Sequence, residues 1–195
     1  KGKLCSTALA SAALVFAFLI LISTTASAVQ VTKIGDGYDP AVYGSKVVWT
    51  NGGVIHLYDL TARTDTAISS SKASHPAIYD NKLVWHDESS GTPRLAVYDI
   101  STGAKTYITQ DVDSSSIPAI YGNRIVWSAN SNVYMRDIST STQIWIAAGY
   151  NPDIYDAKIV YSADGRDIRD IFLYDVVTKS TELISPYSSD INNPH

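Results

Sequence analysis

The acidic residues have the most obvious capacity for chemistry in this sequence. Asp164, Asp167 and Asp170 stand close together in one short segment. Ca²⁺ prefers several hard oxygen ligands, so these carboxylates are candidate calcium ligands. The spacing is not that of an EF-hand loop, and Arg166 and Arg169 could pair with the same carboxylates. A solvated hairpin loop is therefore the favoured interpretation, and no cofactor is expected.

Motifs for other chemistry are missing from the sequence. No two of the 4 histidines have metal-ligand spacing, and there is no Gly-x-Ser-x-Gly elbow or Gly-rich phosphate loop. The 1 cysteine, Cys5, precedes an apolar N-terminal run and is expected to be removed with it. The sequence thus predicts a protein that is not an enzyme.

Two sets of residues recur at regular positions. The first set consists of aspartates that are each followed by a short segment containing Ser or Thr: Asp59, Asp99, Asp137 and Asp175. Hydrogen bonding within a turn is favoured over catalysis for them. The second set consists of large aromatic residues: Trp49, Trp85, Trp127 and Tyr161. A core position between sheets is favoured over a stacking platform for a sugar or other ligand. Trp145 lies outside this register and is expected to face solvent.

An internal repeat supplies the elements that carry these residues. Its first block is found at Pro40–Trp49, Pro76–Trp85, Pro118–Trp127 and Pro152–Tyr161. Each copy is followed by a run ending in Asp and then by a short β-rich run, which predicts four strands, A to D. Short links such as Gly44-Ser45 join A to B as in a hairpin. Strand B is apolar at consecutive positions, as expected for a sheet covered on both faces.

Four-stranded sheets that recur about every 40 residues and stack face to face are the blades of a β-propeller. The predicted fold is therefore all-β, a propeller of four-stranded antiparallel blades, with an open solenoid as the alternative. About four blades are expected, covering residues 39–74, 75–117, 118–151 and 152–193.

The N-terminal residues 1–28 have the pattern of a secretory signal peptide. Lys1 and Lys3 precede an apolar run from Ala8 to Ile22, and small residues with an Ala-x-Ala exit follow. A retained anchor is the alternative, although a membrane span needs about 20 apolar residues. We expect a signal-peptide helix, export to the periplasm, cell surface or medium, and no membrane span after cleavage. The net charge of −4 argues against a nucleic-acid partner.

The ring is expected to be incomplete within these 195 residues. Residues 29–38 contain a segment, Val29–Ile34, that is similar to a strand D without a blade of its own. Residues 194–195 are similar to the start of another unit. Closed propellers hide a sheet edge by completing one blade with a strand from the other terminus. The full protein is therefore expected to have five or more blades, with 29–195 belonging to the propeller.

The repeat also carries a family resemblance, from Val29 to the end of the chain. The pattern Pro-Ala-Ile-Tyr-Gly-Asn-Arg-Ile-Val-Trp at Pro118–Trp127, with Leu-Tyr-Asp in the next block, resembles TolB-like six-bladed propeller repeats. The similarity is to the version found on archaeal cell-surface and S-layer-associated proteins. Unit 3 departs from the pattern at Met135-Arg136, and unit 4 departs at Tyr161. The resemblance implies a propeller architecture and says little about chemistry.

Loops on one rim of the propeller form the candidate binding surface. In an up-and-down blade the B–C and D–A loops emerge on the same rim, and here they are mostly acidic. The candidate ligand- or partner-binding residues are Asp87, Glu88, Asp111, Asp113, Asp164, Asp167 and Asp170. We expect a non-catalytic interaction module that binds a protein or glycan of the cell envelope. The alternatives are the propeller domain of a larger secreted hydrolase or lyase, and a TolB-like component of envelope transport.

Overall fold

The computed structural model describes residues 31–164 and 169–184. The predicted signal peptide at 1–28 and the predicted new unit at 194–195 lie outside the described residues. The described part of the chain is all-β and forms four antiparallel sheets of four strands each. Among its residues, no helix is long and apolar enough to cross a membrane.

Each sheet is built from four consecutive strands, which pair in sequence order. Blade 1 contains β1 (Tyr38–Tyr43), β2 (Lys46–Asn51), β3 (Val54–Asp59) and β4 (Thr64–Ala67). Blade 2 contains β5 (Ala73–Tyr79), β6 (Lys82–Asp87), β7 (Arg94–Asp99) and β8 (Lys105–Ile108). Blade 3 contains β9 (Ala119–Tyr121), β10 (Arg124–Ala129), β11 (Asn132–Asp137) and β12 (Thr142–Ala148). Blade 4 contains β13 (Tyr150–Tyr155), β14 (Lys158–Asp164), β15 (Arg169–Asp175) and β16 (Ser180–Leu183). The sequence prediction of four-stranded propeller blades is confirmed.

The first hairpin of every blade closes through two residues. The first turn residue has positive φ in each case: 56° at Gly44, 52° at Asp80, 60° at Gly122 and 53° at Asp156. Glycine adopts this conformation without steric cost, and aspartate tolerates it better than most residues. The alternation of Gly and Asp at this position therefore follows from the backbone that the turn requires.

The core lies between blades, because both faces of each inner sheet are covered. Trp85 of blade 2 packs against Val48 and Ile55 of blade 1. The same contact recurs one blade further on, where Trp127 of blade 3 packs against Leu95 of blade 2. These residues are all fully buried. Consecutive apolar positions in the second strand of each blade thus serve two interfaces, one on each face.

Tyr161 has the corresponding role in blade 4, where it packs against blade 3 and lies almost fully buried. Trp49 of blade 1 is buried too. The recurrent aromatic residues are therefore core residues, as favoured from the sequence, and offer no exposed platform for a ligand.

The segment before blade 1 forms no strand in its described part, residues 31–37. A strand is defined by ladder hydrogen bonds to a neighbour, and this segment belongs to none of the four sheets. Gly35 and Gly37 instead lie against the Trp49 indole so closely that a side chain at either position would collide with it. Gly149 lies in the same way against Tyr161. Residues 34–37 thus cover Trp49 as Gly149, in the connection between β12 and β13, covers Tyr161.

Candidate functional site

The aspartates at the end of each third strand stabilise the turn that follows. Asp59 Oδ1 accepts hydrogen bonds from the backbone N–H groups of Thr61 and Ala62, at 2.8 and 3.0 Å. The amides of Ala62 and Thr61 lower the pKa of the Asp59 carboxyl. Asp99 and Asp137 accept bonds from the residue two positions on, through both hydroxyl and amide. Their carboxyl pKa values are also lowered, chiefly by those hydroxyls. The interpretation as turn residues is confirmed.

Asp175 adds an ion pair to the same turn. Its Oδ1 accepts from the backbone N–H of Val177, and its Oδ2 lies 2.5 Å from Nζ of Lys158 on the neighbouring strand. The Lys158 ammonium is the main reason that the pKa of Asp175 falls to about 2. A carboxylate occupied on both oxygens in this way is a structural group.

A row of tyrosines connects the first strands of all four blades. The ring centroids are 4.7 Å apart for Tyr43 and Tyr79, 4.4 Å for Tyr79 and Tyr121, and 4.9 Å for Tyr121 and Tyr155. The adjacent Tyr121 phenol is the main cause of a raised pKa at Tyr79. These tyrosines were not among the predicted functional residues, although each is visible in the sequence as the last residue of a Pro-x-x-Tyr segment. The tyrosines tie adjacent blades together.

Asp87, a candidate binding residue, forms its hydrogen bonds and ion pair within blade 2. It is 3% exposed, accepts bonds from the amide and hydroxyl of Ser89, and lies 3.4 Å from the Arg94 guanidinium. Burial acts to raise the pKa of the Asp87 carboxyl, but the Ser89 and Arg94 contacts outweigh it and the net shift is downward. This carboxylate closes the β6–β7 loop.

Asp113 is similarly engaged in the connection between blades 2 and 3. Its carboxylate accepts bonds from Ser115 and from the backbone N–H of Asn130. Burial opposes the shift, yet these hydrogen bonds lower the pKa of Asp113. Its carbonyl oxygen accepts from Nε2 of buried His86 at 3.0 Å, and the same nitrogen lies 3.9 Å from Glu88. The loops of blade 2 and the connection to blade 3 are thereby joined at this rim.

The remaining rim acids are spread over different blades. Asp164 is exposed at the end of β14, with Oδ2 3.4 Å from the Tyr150 hydroxyl. Asp170 follows on β15, opposite Ala163. Asp167 lies outside the described residues, so the three-carboxylate calcium hypothesis stays a prediction. Among the described residues, no three His, Cys, Asp or Glu side chains are grouped to hold a metal ion.

A polar groove on the face of blade 3 that is turned toward blade 2 offers a different kind of site. We call it the blade-3 groove. It has a volume of about 360 Å³ and is lined by Gln110 and Asp111 of the blade connection and by side chains of β11 and β12. The strand pairing opposes Tyr134 to Trp145 and Arg136 to Gln143, so all four side chains share one face.

Trp145 is the exposed aromatic residue of this groove. Its side chain is 60% exposed, as expected from the sequence, and its Nε1 donates to Oδ1 of Asn132 at 2.9 Å. That bond fixes the edge of the indole and leaves a ring face open. Tyr134 beside it stacks on the buried Trp127, with ring centroids 5.8 Å apart. The groove therefore has a rigid aromatic wall.

Polar groups line the rest of the blade-3 groove. Asp111 adopts φ of 52°, and its carbonyl oxygen accepts from Nε1 of Trp127. Its carboxylate accepts from Nε2 of Gln143 at 2.8 Å. The other amide atom, Oε1 of Gln143, is buried without a hydrogen-bond partner in the described structure. The Arg136 guanidinium, which lines the groove, forms no hydrogen bond or ion pair with any described residue.

Among the described residues, Asp111 is thus the sequence-predicted binding residue that lines this groove. Arg136 and Trp145 were not among the predicted site residues. The sequence does show that Arg136 departs from the repeat, because the other three units have tyrosine at the equivalent position. The sequence pattern placed these departures on separate strands, and the register of β11 against β12 brings them together.

Fold and site together define a β-propeller protein with a polar surface groove. No protein-family model matches the chain, and no curated protein matches it. Solved structures do share its fold. TolB from Acinetobacter baumannii aligns with a TM-score of 0.63 at 15% identity, over 76% of this chain and 43% of that one.

Two protease propellers are comparably similar. The tricorn protease aligns with a TM-score of 0.61 at 15% identity, over 77% of this chain and 16% of its own. The β-propeller domain of the Trilobed protease from Pyrococcus furiosus gives a TM-score of 0.57 at 15% identity, over 76% and 56%. The chain spans less than two thirds of the length of each. At these identities the similarity shows the fold alone, a propeller of the TolB-like kind.

Proposed function

We propose that this chain is a non-catalytic, exported interaction module that binds a protein or glycan of the cell envelope. The blade-3 groove carries the proposal. It combines an open indole face with polar groups, one of which is a guanidinium with no hydrogen bond or ion pair in the described structure. Binding pockets typically have volumes of about 300–1,000 Å³ and combine aromatic walls with a few placed polar groups.

The other chemistry-bearing groups of the described blades support binding over catalysis. The recurrent aspartates are engaged in turns, and Asp87 and Asp113 are engaged within loops. Export is supported by the signal-peptide pattern at 1–28. The similarity of the repeat to archaeal surface and S-layer-associated arrays supports a location on the cell surface, with the periplasm as the other compartment.

A propeller domain of a larger secreted hydrolase is a second candidate function. It is favoured by the similarity to the tricorn and Trilobed protease propellers. The blade-3 groove would then bind or orient part of the substrate, while catalytic residues would lie outside the described blades. A TolB-like role in envelope transport is a further alternative, supported by the similarity to TolB.

Co-sedimentation with purified envelope fragments from bacteria and archaea tests the proposed function. The chain is expected to bind at least one preparation, and Trp145→Ala should weaken binding about tenfold, the effect of losing roughly 1.4 kcal/mol. Val177→Ala is the matched control, because Val177 is an apolar residue, 75% exposed, on blade 4 and away from the groove. Equal binding by all three proteins, or by none of them, would contradict the proposal.

A further inference from the structure

The residues that make blade 3 different from the other blades lie together in the blade-3 groove. At the Arg136 position the other blades hold Tyr58, Tyr98 and Tyr174, and at the Trp145 position they hold Ala67, Tyr107 and Leu183. A propeller blade is therefore formed equally well without arginine or tryptophan at these positions. Stability of the blade does not explain why both occur here, on neighbouring strands and facing one groove.

The two charged side chains of the groove differ in their hydrogen bonding. The carboxylate of Asp111 already accepts a hydrogen bond from Gln143, whereas the Arg136 guanidinium has no partner among the described residues. A guanidinium presents five donors in a planar fork and pairs bidentately with a carboxylate. The Arg136 cation is therefore matched to an anionic, planar group on the ligand.

The aromatic wall indicates which chemical groups the rest of the ligand should have. The open face of Trp145 offers a flat, weakly polar surface, and the side chains around it are mostly hydrogen-bonding groups. A pyranose ring has one face of C–H groups that can lie on an indole, and hydroxyls around its rim that need donors and acceptors. The volume of about 360 Å³ lies near the lower end of ligand pockets, which suits one or two sugar rings.

We propose that the blade-3 groove binds a carboxylate-bearing pyranose, such as a uronic acid residue of an envelope polysaccharide. The sugar ring lies on Trp145, its carboxylate pairs with Arg136, and its hydroxyls bond Gln110 and Asp111. This rests on the proposed function and names its ligand class. A peptide with apolar side chains would be a less complete match, because most of the described lining of the groove is polar.

The test is a titration of the purified chain with short oligogalacturonates, monitored by calorimetry and tryptophan fluorescence. Neutral galacto-oligosaccharides of the same length and sodium sulfate are the comparison ligands. Oligogalacturonate is expected to bind at least about tenfold more tightly than its neutral counterpart, since ionised hydrogen bonds are roughly twice as strong as neutral ones. The other three tryptophans are buried, so the fluorescence change should come from Trp145.

Two variants separate the parts of the site. Arg136→Tyr restores the residue of the other blades, so it should fold normally, and it should remove the preference for the acidic sugar. Trp145→Ala restores the residue of blade 1, and it should weaken both sugars and abolish the fluorescence change. Melting curves of both variants verify that the blade is intact.

The results that would overturn the inference are specific. Equal affinity for acidic and neutral sugars, an unchanged preference in Arg136→Tyr, or competition by sulfate as strong as by the sugar would each do so. If envelope binding depends on Trp145 but oligogalacturonate does not bind, the ligand class is wrong and the proposed function stands. If neither binding is seen, both fail.

Discussion

The aspartate at the end of the third strand of every blade stabilises the turn that follows. Asp175 is the member of this set whose pKa is lowered most by a neighbouring charge. The side chain caps its turn through one oxygen and pairs with Lys158 through the other. The pair is exposed enough for water and salt to screen it, so its effect on stability is small at neutral pH. That same contribution is lost in acid, because the pKa of Asp175 is held at about 2, so the pH dependence of stability is where the pair can be detected.

Acid titration of the unfolding free energy should reveal this pair. The folded carboxyl has a lower pKa than its usual 3.8, so its stabilising contribution is complete above that value and is lost as pH falls toward about 2. Lys158→Met should make the unfolding free energy depend less on pH between the usual pKa and about 2. At the acid end of this range, the variant and the native chain should have the same unfolding free energy. Urea unfolding at a series of pH values measures both proteins. Parallel curves would show that Lys158 does not lower the pKa of Asp175.

The blade is the element that the sequence predicts best, and the interface between blades is the reason. Strand order, two-residue hairpins and the buried position of Trp85 and Trp127 all follow from a repeat whose apolar positions must cover two faces. The blade-3 groove could not be predicted in the same way. It depends on the register of β11 against β12 and on the path of the Asp111 connection, neither of which the repeat specifies.

Substitution of equivalent tryptophans should measure how much a blade interface contributes. Trp85 is 0% exposed between two blades, whereas Trp49 is covered by the segment at 34–37 and borders a cavity of about 220 Å³. Trp85→Ala is expected to cost about 3–5 kcal/mol of unfolding free energy, and Trp49→Ala less, because part of the Trp49 side chain already borders that cavity. Trp85→Phe keeps most of the volume and should remain folded. Chemical denaturation compares them, and equal losses at both positions would contradict the difference in packing.

Stability of the whole molecule should be distributed unevenly, because each blade stabilises only its neighbours. The first strand of every blade carries an aliphatic residue before its tyrosine: Val42, Ile78, Ile120 and Ile154. Three of them are buried, with exposures of 8% for Ile78 and Ile120 and 6% for Ile154, because each packs on the preceding blade. Val42 is 66% exposed, since no described sheet covers that face of blade 1.

Alanine substitutions at this repeat position should therefore lower the unfolding free energy by very different amounts in different blades. Ile120→Ala removes buried methylene groups and leaves a cavity, for an expected loss of about 2–5 kcal/mol. Val42→Ala is expected to change the unfolding free energy by less than about 0.5 kcal/mol, as at other exposed positions. Denaturation curves of the purified chain measure both changes. A large loss from Val42→Ala would mean that this face is covered in solution. Sedimentation equilibrium would then show whether a second copy of the chain covers it, because two apolar sheet faces that meet bury their side chains as fully as the interfaces inside the chain do.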